Sequence, residues 1–336
     1  MKQIVSFILF LIAFTSGNAQ SGKLVFTSKE KTRIGINKNY HYRFDALDSA
    51  GNFISYSVTK SPSWVHFNLR DHSISGKTKA AGQYFIEITA TTRLESAKQQ
   101  FMLTVYDGRT TNILCLGNSI TNGVDTFNSY RRDLWQLLHA GHYDFDFIGS
   151  WSGHHMGSSV PLPDFDMDHE GHSGWTFEDI LHPPSWDSTR GDLHQWIRSY
   201  MPSIVLIELG TNDIFHCRKP KEMFRDLDTI LSLLRNKNGH VKIFLAQIPP
   251  LGAQWSDKKL CGNDTSYSSA IMNLNSKIVD YAKGRSTVSS PVIVVDQFTG
   301  VGPAKDMFDD IHPNTRGEKK MAERWFNAVK LYLDKL

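Results

Sequence analysis

From about residue 112 onward, short apolar runs alternate with amphipathic segments, and this alternation restricts the possible fold more than any other feature of the sequence. The strand candidates are residues 112–116, 143–148, 204–207, 241–248 and 291–295. The helix candidates are residues 130–140, a short segment around Trp196, residues 223–234, residues 271–282 and the chain from 316 onward. Strands that alternate with helices predict a mainly parallel sheet with helices on both faces.

The preceding segment has a different pattern. Strand candidates at 40–44, 53–58, 74–76, 84–89 and 101–105 are separated by turn signals and lack helical periodicity, which predicts a small all-β sandwich. The stretches Pro62-Ser63-Trp64, Ile74-Ser75-Gly76 and Gly82-Gln83-Tyr84 resemble Ig-like or cadherin-like modules. The pattern changes near Asp107, so we predict a sandwich domain at 20–108 and an α/β domain at 109–336.

The first residues have the layout of a secretory signal peptide. Lys2 precedes an apolar run at 4–14, and small and polar residues follow up to Ala19, after which cleavage is predicted. The run is short for a permanent membrane helix, so a retained anchor is the weaker alternative. No later segment is long and apolar enough to span a bilayer. We therefore predict residues 1–19 as a signal peptide and a secreted or periplasmic protein.

Charge and cysteine content exclude one class of partner and leave one pairing open. The 37 Lys and Arg nearly balance the 34 Asp and Glu, and no basic stripe is present, so nucleic-acid binding is not expected. Cys115 lies in an apolar run and is predicted to be a buried free thiol. Cys217 and Cys261 lie in loop-like sequence and could pair, but sequence does not establish their distance.

A serine follows the first strand of the α/β domain. In Gly117-Asn118-Ser119 the serine hydroxyl would lie at the carboxyl end of the sheet, where ligands collect and nearby amides can face a developing negative charge. An ordinary helix cap is the alternative interpretation, because serine is common at such boundaries.

A second candidate lies far away in sequence, at Asp309-Asp310-Ile311-His312. A serine hydroxyl is a weak nucleophile and needs an adjacent base, a role that the imidazole of His312 can fill. An Asp three residues earlier can return across a tight turn to hold the other ring nitrogen. A lone histidine is more often structural, and it is the pairing with Ser119 that favours catalysis.

Two further segments offer hydrogen-bond donors for an oxyanion. Asn212, in Gly210-Thr211-Asn212-Asp213, follows a strand and carries a side-chain NH₂. Gly174, in the long loop at 151–184, can present a backbone N–H with no side chain in the way. A simple turn and a flexible loop glycine are the alternative interpretations.

Together these blocks resemble the GDSL/SGNH hydrolase family, whose invariant Ser, Gly, Asn and His occur here in the family's order. The resemblance implies a three-layer α/β/α sandwich, with Ser119 as nucleophile, His312 as base and Asp309 orienting the base. It also implies an oxyanion hole made by the amides of Ser119 and Gly174 and the side chain of Asn212.

Over 110–336 the chain is further similar to carbohydrate esterase family three and related acetylxylan esterases. Supporting stretches are Tyr130-Arg131-Arg132-Asp133-Leu134-Trp135, Phe147-Ile148-Gly149-Ser150, and residues 168–176. Two positions depart from the family pattern. Asn118 stands where Asp is usual, and Asp310 stands where glycine is common, so two carboxylates compete for the role beside the base. The three-residue offset favours Asp309.

A metal and an aromatic sugar contact are also considered. His154, His155, His169 and His172 cluster in one loop but lack the i, i+4 spacing of two ligands on a helix face. We interpret them as loop structure or substrate contacts and predict no catalytic metal and no cofactor. Trp175 and Trp151 could stack on sugars or could be packing residues.

The resemblance implies a secreted serine esterase that removes O-acetyl groups from polysaccharide sugars. The expected partner is an acetylated polysaccharide or oligosaccharide, and the oligomeric state is not predicted. One alternative is an esterase or lipase of the same family acting on other acyl or lipid esters. The other is a carbohydrate-binding surface protein whose hydrolase domain is inert.

Overall fold

The computed structural model describes residues 23–107, 110–154, 160–262 and 265–335. The predicted signal peptide at 1–19 and His155 lie outside the described residues. The first part of the chain is all-β. Its strands are β1 Leu24–Phe26, β2 Arg33–Gly35, β3 Tyr40–Arg43, β4 Ala46–Asp48, β5 Ser55–Lys60, β6 Val65–Asn68, β7 Ser73–Gly76, β8 Gly82–Thr91 and β9 Ser96–Tyr106.

These nine strands form three small sheets. One has the order β2-β9-β8-β5, another has the order β3-β7-β6, and β1 pairs with β4. All neighbours are antiparallel except β2 and β9, which run parallel. Buried Tyr40 and Tyr42 alternate with exposed residues in β3, and Tyr42 packs against the buried Phe101 of β9 between the sheets. The predicted β-sandwich is confirmed.

The rest of the chain contains a parallel sheet. Its strands are β10 Thr111–Gly117, β11 Phe145–Ile148, β12 Glu170–Gly171, β13 Ile204–Glu208, β14 Lys242–Gln247 and β15 Val292–Asp296. The order is β11-β10-β13-β14-β15, with the short β12 beside the end of β10, and every pair is parallel. The carboxyl ends of neighbouring strands therefore meet at one edge, where Gly117 is opposite Glu208.

Helices cover both faces of this sheet. Their bounds are α1 Ser119–Asn122, α2 Tyr130–Ala140, α3 Phe177–Leu181, α4 Leu193–Ser199, α5 Thr211–Phe215, α6 Pro220–Lys237, α7 Ala253–Ser256, α8 Tyr267–Arg285, α9 Pro303–Asp306 and α10 Thr315–Leu333. Short 3₁₀ segments occur at Ser185–Arg190 and Leu260–Gly262. Within the described ranges, no helix has the length and apolar character needed to cross a membrane.

The central strands read as continuous apolar runs because both of their faces are buried. Ile113 and Cys115 of β10 belong to a core with α2 and α10, which is continuous with the core of the sandwich. Leu114 and Leu116 belong to a second core with α3, α4, α6 and α8. The three-layer α/β/α arrangement is confirmed, and Cys115 is a buried free thiol as predicted.

Polar contacts join the sandwich to the α/β domain. The Arg33 guanidinium pairs with Asp146 at 2.9 Å and donates to Asn112 at 2.7 Å. Thr32 donates to the buried Asp168 at 2.7 Å. Strand β2 thus lies against the edge of the parallel sheet.

Candidate active site

The candidate nucleophile lies at the carboxyl end of β10, where the strand turns into α1. Asn118 caps this helix by accepting a hydrogen bond from the N–H of Ile120 at 2.8 Å. Ser119 is the first residue of α1 and is 8% exposed. Its own N–H has no acceptor within the helix, because the first amides of a helix lack intrahelical partners. Asn118 therefore retains the capping hydrogen bond at a position where the similar family usually has Asp.

The turn into α1 depends on a glycine. A Cβ built on Gly117 would lie 2.2 Å from the hydroxyl of Thr121 and 2.6 Å from the carbonyl oxygen of Glu208. No residue with a side chain fits between these atoms without moving the backbone. The strand can therefore approach its neighbour β13 closely at the point where Ser119 enters the cleft.

A buried arginine side chain fixes the end of α1, the helix that begins at Ser119. Arg131 is fully buried and donates to the carbonyl oxygens of Thr121 at 2.7 Å, Asn122 at 3.2 Å and Met167 at 2.8 Å. Its charge satisfies the carbonyls at the end of a one-turn helix, which have no intrahelical donors. Sequence reasoning quoted this arginine but gave it no role, because its three acceptors come from other parts of the chain.

The candidate base is adjacent to the serine, 193 residues further along the chain. The Ser119 hydroxyl lies 2.8 Å from Nε2 of His312. Nδ1 of His312 lies 2.7 Å from Oδ2 of Asp309. Asp309 Oδ1 also accepts the N–H of His312 at 2.7 Å and that of Ile311 at 3.1 Å. The carboxylate thus fixes both the ring and the turn that carries it.

The environment of Asp309 keeps its carboxylate charged. Partial burial by itself would raise the pKa of Asp309. Hydrogen bonds from the backbone and ring of His312 and the attraction of the imidazole offset that effect, and the pKa is lowered from its ordinary value. An ionised carboxylate beside Nδ1 holds the proton on that nitrogen and leaves Nε2 free to accept one from serine.

The neighbouring Asp310 is directed elsewhere. Its Oδ2 accepts the N–H of Gln254 at 3.1 Å, and its carbonyl oxygen accepts the N–H of Gly252 at 2.7 Å. It adopts a positive φ of 66°, which turns its side chain away from the imidazole. Of the two carboxylates that compete in the sequence, Asp309 is therefore the one that contacts His312.

The two predicted oxyanion donors also line the cleft. Gly174 has a φ of 83°, a conformation that residues with a Cβ rarely adopt, and among the described residues its N–H has no acceptor. Asn212 lies in the first turn of α5, immediately after β13, and donates one side-chain hydrogen to the carbonyl oxygen of Trp175 at 2.9 Å. This hydrogen bond fixes the amide plane and leaves the second hydrogen of the NH₂ for another acceptor.

Buried side chains support the loop that carries Gly174. His172 stacks on Trp175, with ring centroids 4.3 Å apart, and on Trp196, at 4.8 Å, and the two indoles also contact each other at 6.0 Å. Its Nε2 lies 3.0 Å from Glu170 Oε2, and Glu170 also accepts from the hydroxyl of Tyr200 at 2.6 Å. Buried contacts thus fix the part of the loop at 151–184 that carries Gly174.

The histidine cluster has structural partners. Nε2 of His169 lies 3.0 Å from the carbonyl oxygen of Gly153, and Nε2 of His154 lies 2.7 Å from that of Phe127. Within the described ranges, no group of three or more His, Cys, Asp or Glu side chains is arranged to hold a metal ion. The interpretation of these histidines as loop structure fits their contacts.

The cleft around Ser119 and His312 has a volume of about 750 Å³ and carries four aromatic side chains, which are Trp151, Trp186, Phe215 and Trp255. Trp175 is not among them. It is fully buried against His172. The interpretation of Trp175 as a sugar-stacking residue is therefore wrong, and it is a packing residue.

A disulfide joins Cys217, just beyond α5, to Cys261, in the 3₁₀ segment Leu260–Gly262, with the Cα atoms 6.1 Å apart. It ties the Phe215 side of the cleft to the Trp255 side.

Two family models match this chain. The model of the GDSL-like lipase/acylhydrolase family matches residues 115–320, and that of an Ig domain matches residues 23–106. A multidomain esterase of Ruminococcus flavefaciens is 30% identical over 237 residues. That match covers 67% of this chain and 29% of the relative, so the chain spans less than a third of the relative's length.

Two solved structures share the fold. A carbohydrate esterase family 3 structure from Talaromyces cellulolyticus superposes with a TM-score of 0.55 at 25% identity and covers 68% of this chain and 100% of that one. An acetyl esterase mutant determined with an acetate ion gives a TM-score of 0.54 at 25% identity, covering 67% and 99%. This chain belongs to the GDSL-like lipase/acylhydrolase family.

Proposed function

We propose that the protein removes O-acetyl groups from polysaccharide sugars, with Ser119, His312 and Asp309 as its catalytic triad. The hydrogen-bonded series from Ser119 Oγ through His312 to Asp309, with contacts of 2.8 and 2.7 Å, is the observation that carries the proposal. Two similar structures are described as a carbohydrate esterase and an acetyl esterase, which supports acetate as the acyl group.

The reaction begins when Ser119 Oγ attacks the carbonyl carbon of the acetyl ester and His312 Nε2 takes the hydroxyl proton. The carbonyl π electrons move to oxygen, giving an oxyanion. We assign its stabilisation to the N–H groups of Ser119 and Gly174 and the free amide hydrogen of Asn212. Preorganised donors of this kind contribute roughly two to three powers of ten each to the rate.

The tetrahedral intermediate collapses when the carbon–oxygen bond to the sugar breaks. His312 gives its proton to the departing sugar hydroxyl, and an acetyl group remains on Ser119. A water molecule then attacks the acetyl carbonyl while His312 takes its proton. The second tetrahedral intermediate collapses as the carbon–oxygen bond to Ser119 breaks, His312 returns the proton to Ser119 Oγ, and acetate leaves. Each step requires only side chains, backbone amides and water, and no cofactor enters the proposed reaction.

The proposed setting is extracytoplasmic. Residues 1–19 would act as a cleavable signal peptide, residues 20–108 as an Ig-like module and residues 109–336 as the catalytic domain. A polymeric substrate fits this setting, because a polysaccharide outside the cell is accessible only to an exported enzyme. The complete hydrogen-bonded series at Ser119 weighs against an inert hydrolase domain.

The test is acetate release from acetylated xylan by the wild type and by Ser119→Ala, with p-nitrophenyl acetate and p-nitrophenyl octanoate measured in parallel. We expect acetate release that the substitution abolishes and poor cleavage of the octanoate. Rapid octanoate cleavage with no acetate release from xylan would instead identify an esterase of lipid-like esters. Activity unchanged in Ser119→Ala would refute the triad assignment.

A further inference from the structure

One aromatic side chain beside the active site has no role in the reaction described above. Trp186 lines the cleft and is 66% exposed, whereas large apolar side chains of a folded domain are mostly buried. A Cβ built on Gly174 would lie 3.3 Å from Cη2 of Trp186, so the indole edge lies next to the proposed oxyanion donor. The exposed ring is therefore close to the reacting atoms.

The exposure of Trp186 does not come from a loosely held loop. The 3₁₀ segment Ser185–Arg190 is attached to the interior by two buried indoles. Trp175 Nε1 donates to Asp187 Oδ2 at 3.2 Å, and Trp196 Nε1 donates to the carbonyl oxygen of Arg190 at 2.8 Å. The segment holds Trp186 at the mouth of the cleft, facing solvent.

The other tryptophans of the cleft have partners. The Arg190 guanidinium lies 3.5 Å above the ring of Trp151. Lys258 lies 4.0 Å from the ring of Trp255, which also packs edge-on against Phe215 with ring centroids 5.1 Å apart. Within the part of the chain that the structure describes, Trp186 has no such ring or cation contact. Of the cleft tryptophans in the described ranges, Trp186 is therefore the one whose ring has no stacking or cation partner.

Polar groups flank the open ring. Arg190 Nε donates to Asp187 Oδ1 at 3.2 Å. Among the described residues, the two terminal nitrogens of Arg190 have no hydrogen-bond acceptor, and the side chain is 27% exposed. A flat apolar face with a donor and an acceptor beside it suits a pyranose, which has a C–H face and a rim of hydroxyl groups. An aliphatic chain would instead leave the guanidinium partly desolvated without a hydrogen bond.

The position of the Trp186 ring also determines which part of the substrate it can contact. The acetyl group is small and must reach Ser119, which is 8% exposed, whereas Trp186 lies at the open rim. We propose that Trp186, with Asp187 and Arg190, forms a sugar-binding subsite that holds the saccharide carrying the acetyl group. The inference rests on the proposed function. It places the sugar, which is the leaving group of the reaction, at the rim of the cleft beside Trp186.

The experiment compares wild type, Trp186→Ala and Trp186→Phe on an acetylated xylo-oligosaccharide and on triacetin. Triacetin is an acetyl ester without a ring, so it cannot stack on the indole as a nitrophenyl ester could. We expect Trp186→Ala to lower kcat/KM for the oligosaccharide by roughly 10- to 100-fold, as truncation of a buried binding contact does. Triacetin hydrolysis should be unchanged, and Trp186→Phe should restore most of the oligosaccharide activity.

Phe53→Ala is the control, because Phe53 is an aromatic residue that is also exposed, at 86%, and lies in the sandwich domain. It should alter neither activity. Equal loss on both substrates in Trp186→Ala, or unchanged oligosaccharide activity, would overturn the subsite. A wild type that hydrolyses triacetin but no acetylated saccharide would refute the proposed function itself. The two failures are distinguishable, because this result comes from the wild type alone and needs no variant.

Discussion

The buried carboxyl group of Glu208 makes the stability of this protein depend on pH in a way that one substitution can isolate. Glu208 ends β13, is 0% exposed, and neither of its oxygens has a hydrogen-bond partner among the described residues. Burial raises the pKa of Glu208 from 4.5 to about 8. In the unfolded chain the group is exposed and has its ordinary pKa.

The sign follows from proton binding. Between about pH 4.5 and pH 8 the folded state holds a proton on Glu208 that the unfolded state has released. Stability therefore falls as pH rises through this window and is constant above it. Within this window each pH unit lowers the free energy of unfolding by about 1.4 kcal/mol. Relative to pH 4.5, the loss is therefore roughly 3 kcal/mol at pH 7 and roughly 5 kcal/mol above pH 8.

Glu208→Gln keeps the shape of the side chain and removes this proton equilibrium. We expect the variant to match the wild type at pH 4 and to exceed its free energy of unfolding by roughly 3 kcal/mol at pH 7. The assay is urea unfolding of both proteins at pH 4, 5.5, 7 and 8.5, with Glu323→Gln, on the exposed face of α10, as the control. A difference between Glu208→Gln and wild type that does not grow with pH would refute the reasoning.

Three further predictions concern the site. Asp309→Asn should lower kcat by roughly 10³- to 10⁴-fold, because the amide no longer holds the correct histidine tautomer, and Asp310→Asn, measured in parallel, should cost far less. Gly174→Ala should lower kcat by at least roughly tenfold, because a Cβ at a φ of 83° costs about 1–2 kcal/mol and moves the donor amide; an unchanged kcat would remove Gly174 from the oxyanion hole. Cys217→Ser opens the disulfide to Cys261, which spans 44 residues, and should lower the free energy of unfolding by up to about 4 kcal/mol in chemical denaturation; equal stability with and without reductant would contradict this.

Much of the fold could be predicted because the local patterns and the tertiary structure agree. The helix predicted at 130–140 is α2, Tyr130–Ala140, with the same bounds, and the apolar run at 204–207 lies within β13. The helix has a clear amphipathic periodicity and is followed by Gly141, whereas β13 is marked by a continuous apolar run. The strands β1, β2, β4, β6 and β12 are not predicted from the sequence, since each has only two to four residues and depends on pairing with distant segments.

Two of the site candidates could be predicted because parallel strands place their carboxyl ends at one edge of the sheet. Ser119 follows β10 and Asn212 follows β13, and these strands are neighbours. The three-residue offset in the sequence favours Asp309 over Asp310, and Asp309 is the carboxylate that lies 2.7 Å from Nδ1 of His312.

The exposure of the side chains around the cleft could not be predicted from the sequence. Trp175 and Trp186 lie in similar Gly-, Ser- and Pro-containing stretches, yet one is fully buried and the other is 66% exposed. Trp175 is buried because it packs against His172 and Trp196, contacts that no local pattern encodes. Arg131 is similar, because its acceptors at Thr121, Asn122 and Met167 are brought together only by the fold.

The central claim is that His312 activates Ser119 as a nucleophile, and covalent labelling by a fluorophosphonate tests it most directly. Ser119 Oγ would displace fluoride from phosphorus, and peptide mass spectrometry locates the adduct. We predict a single adduct on the peptide containing Ser119, absent in Ser119→Ala and formed at least roughly 100-fold more slowly in His312→Ala. No adduct, an adduct on another residue, or a rate unaffected by loss of the imidazole would contradict the claim.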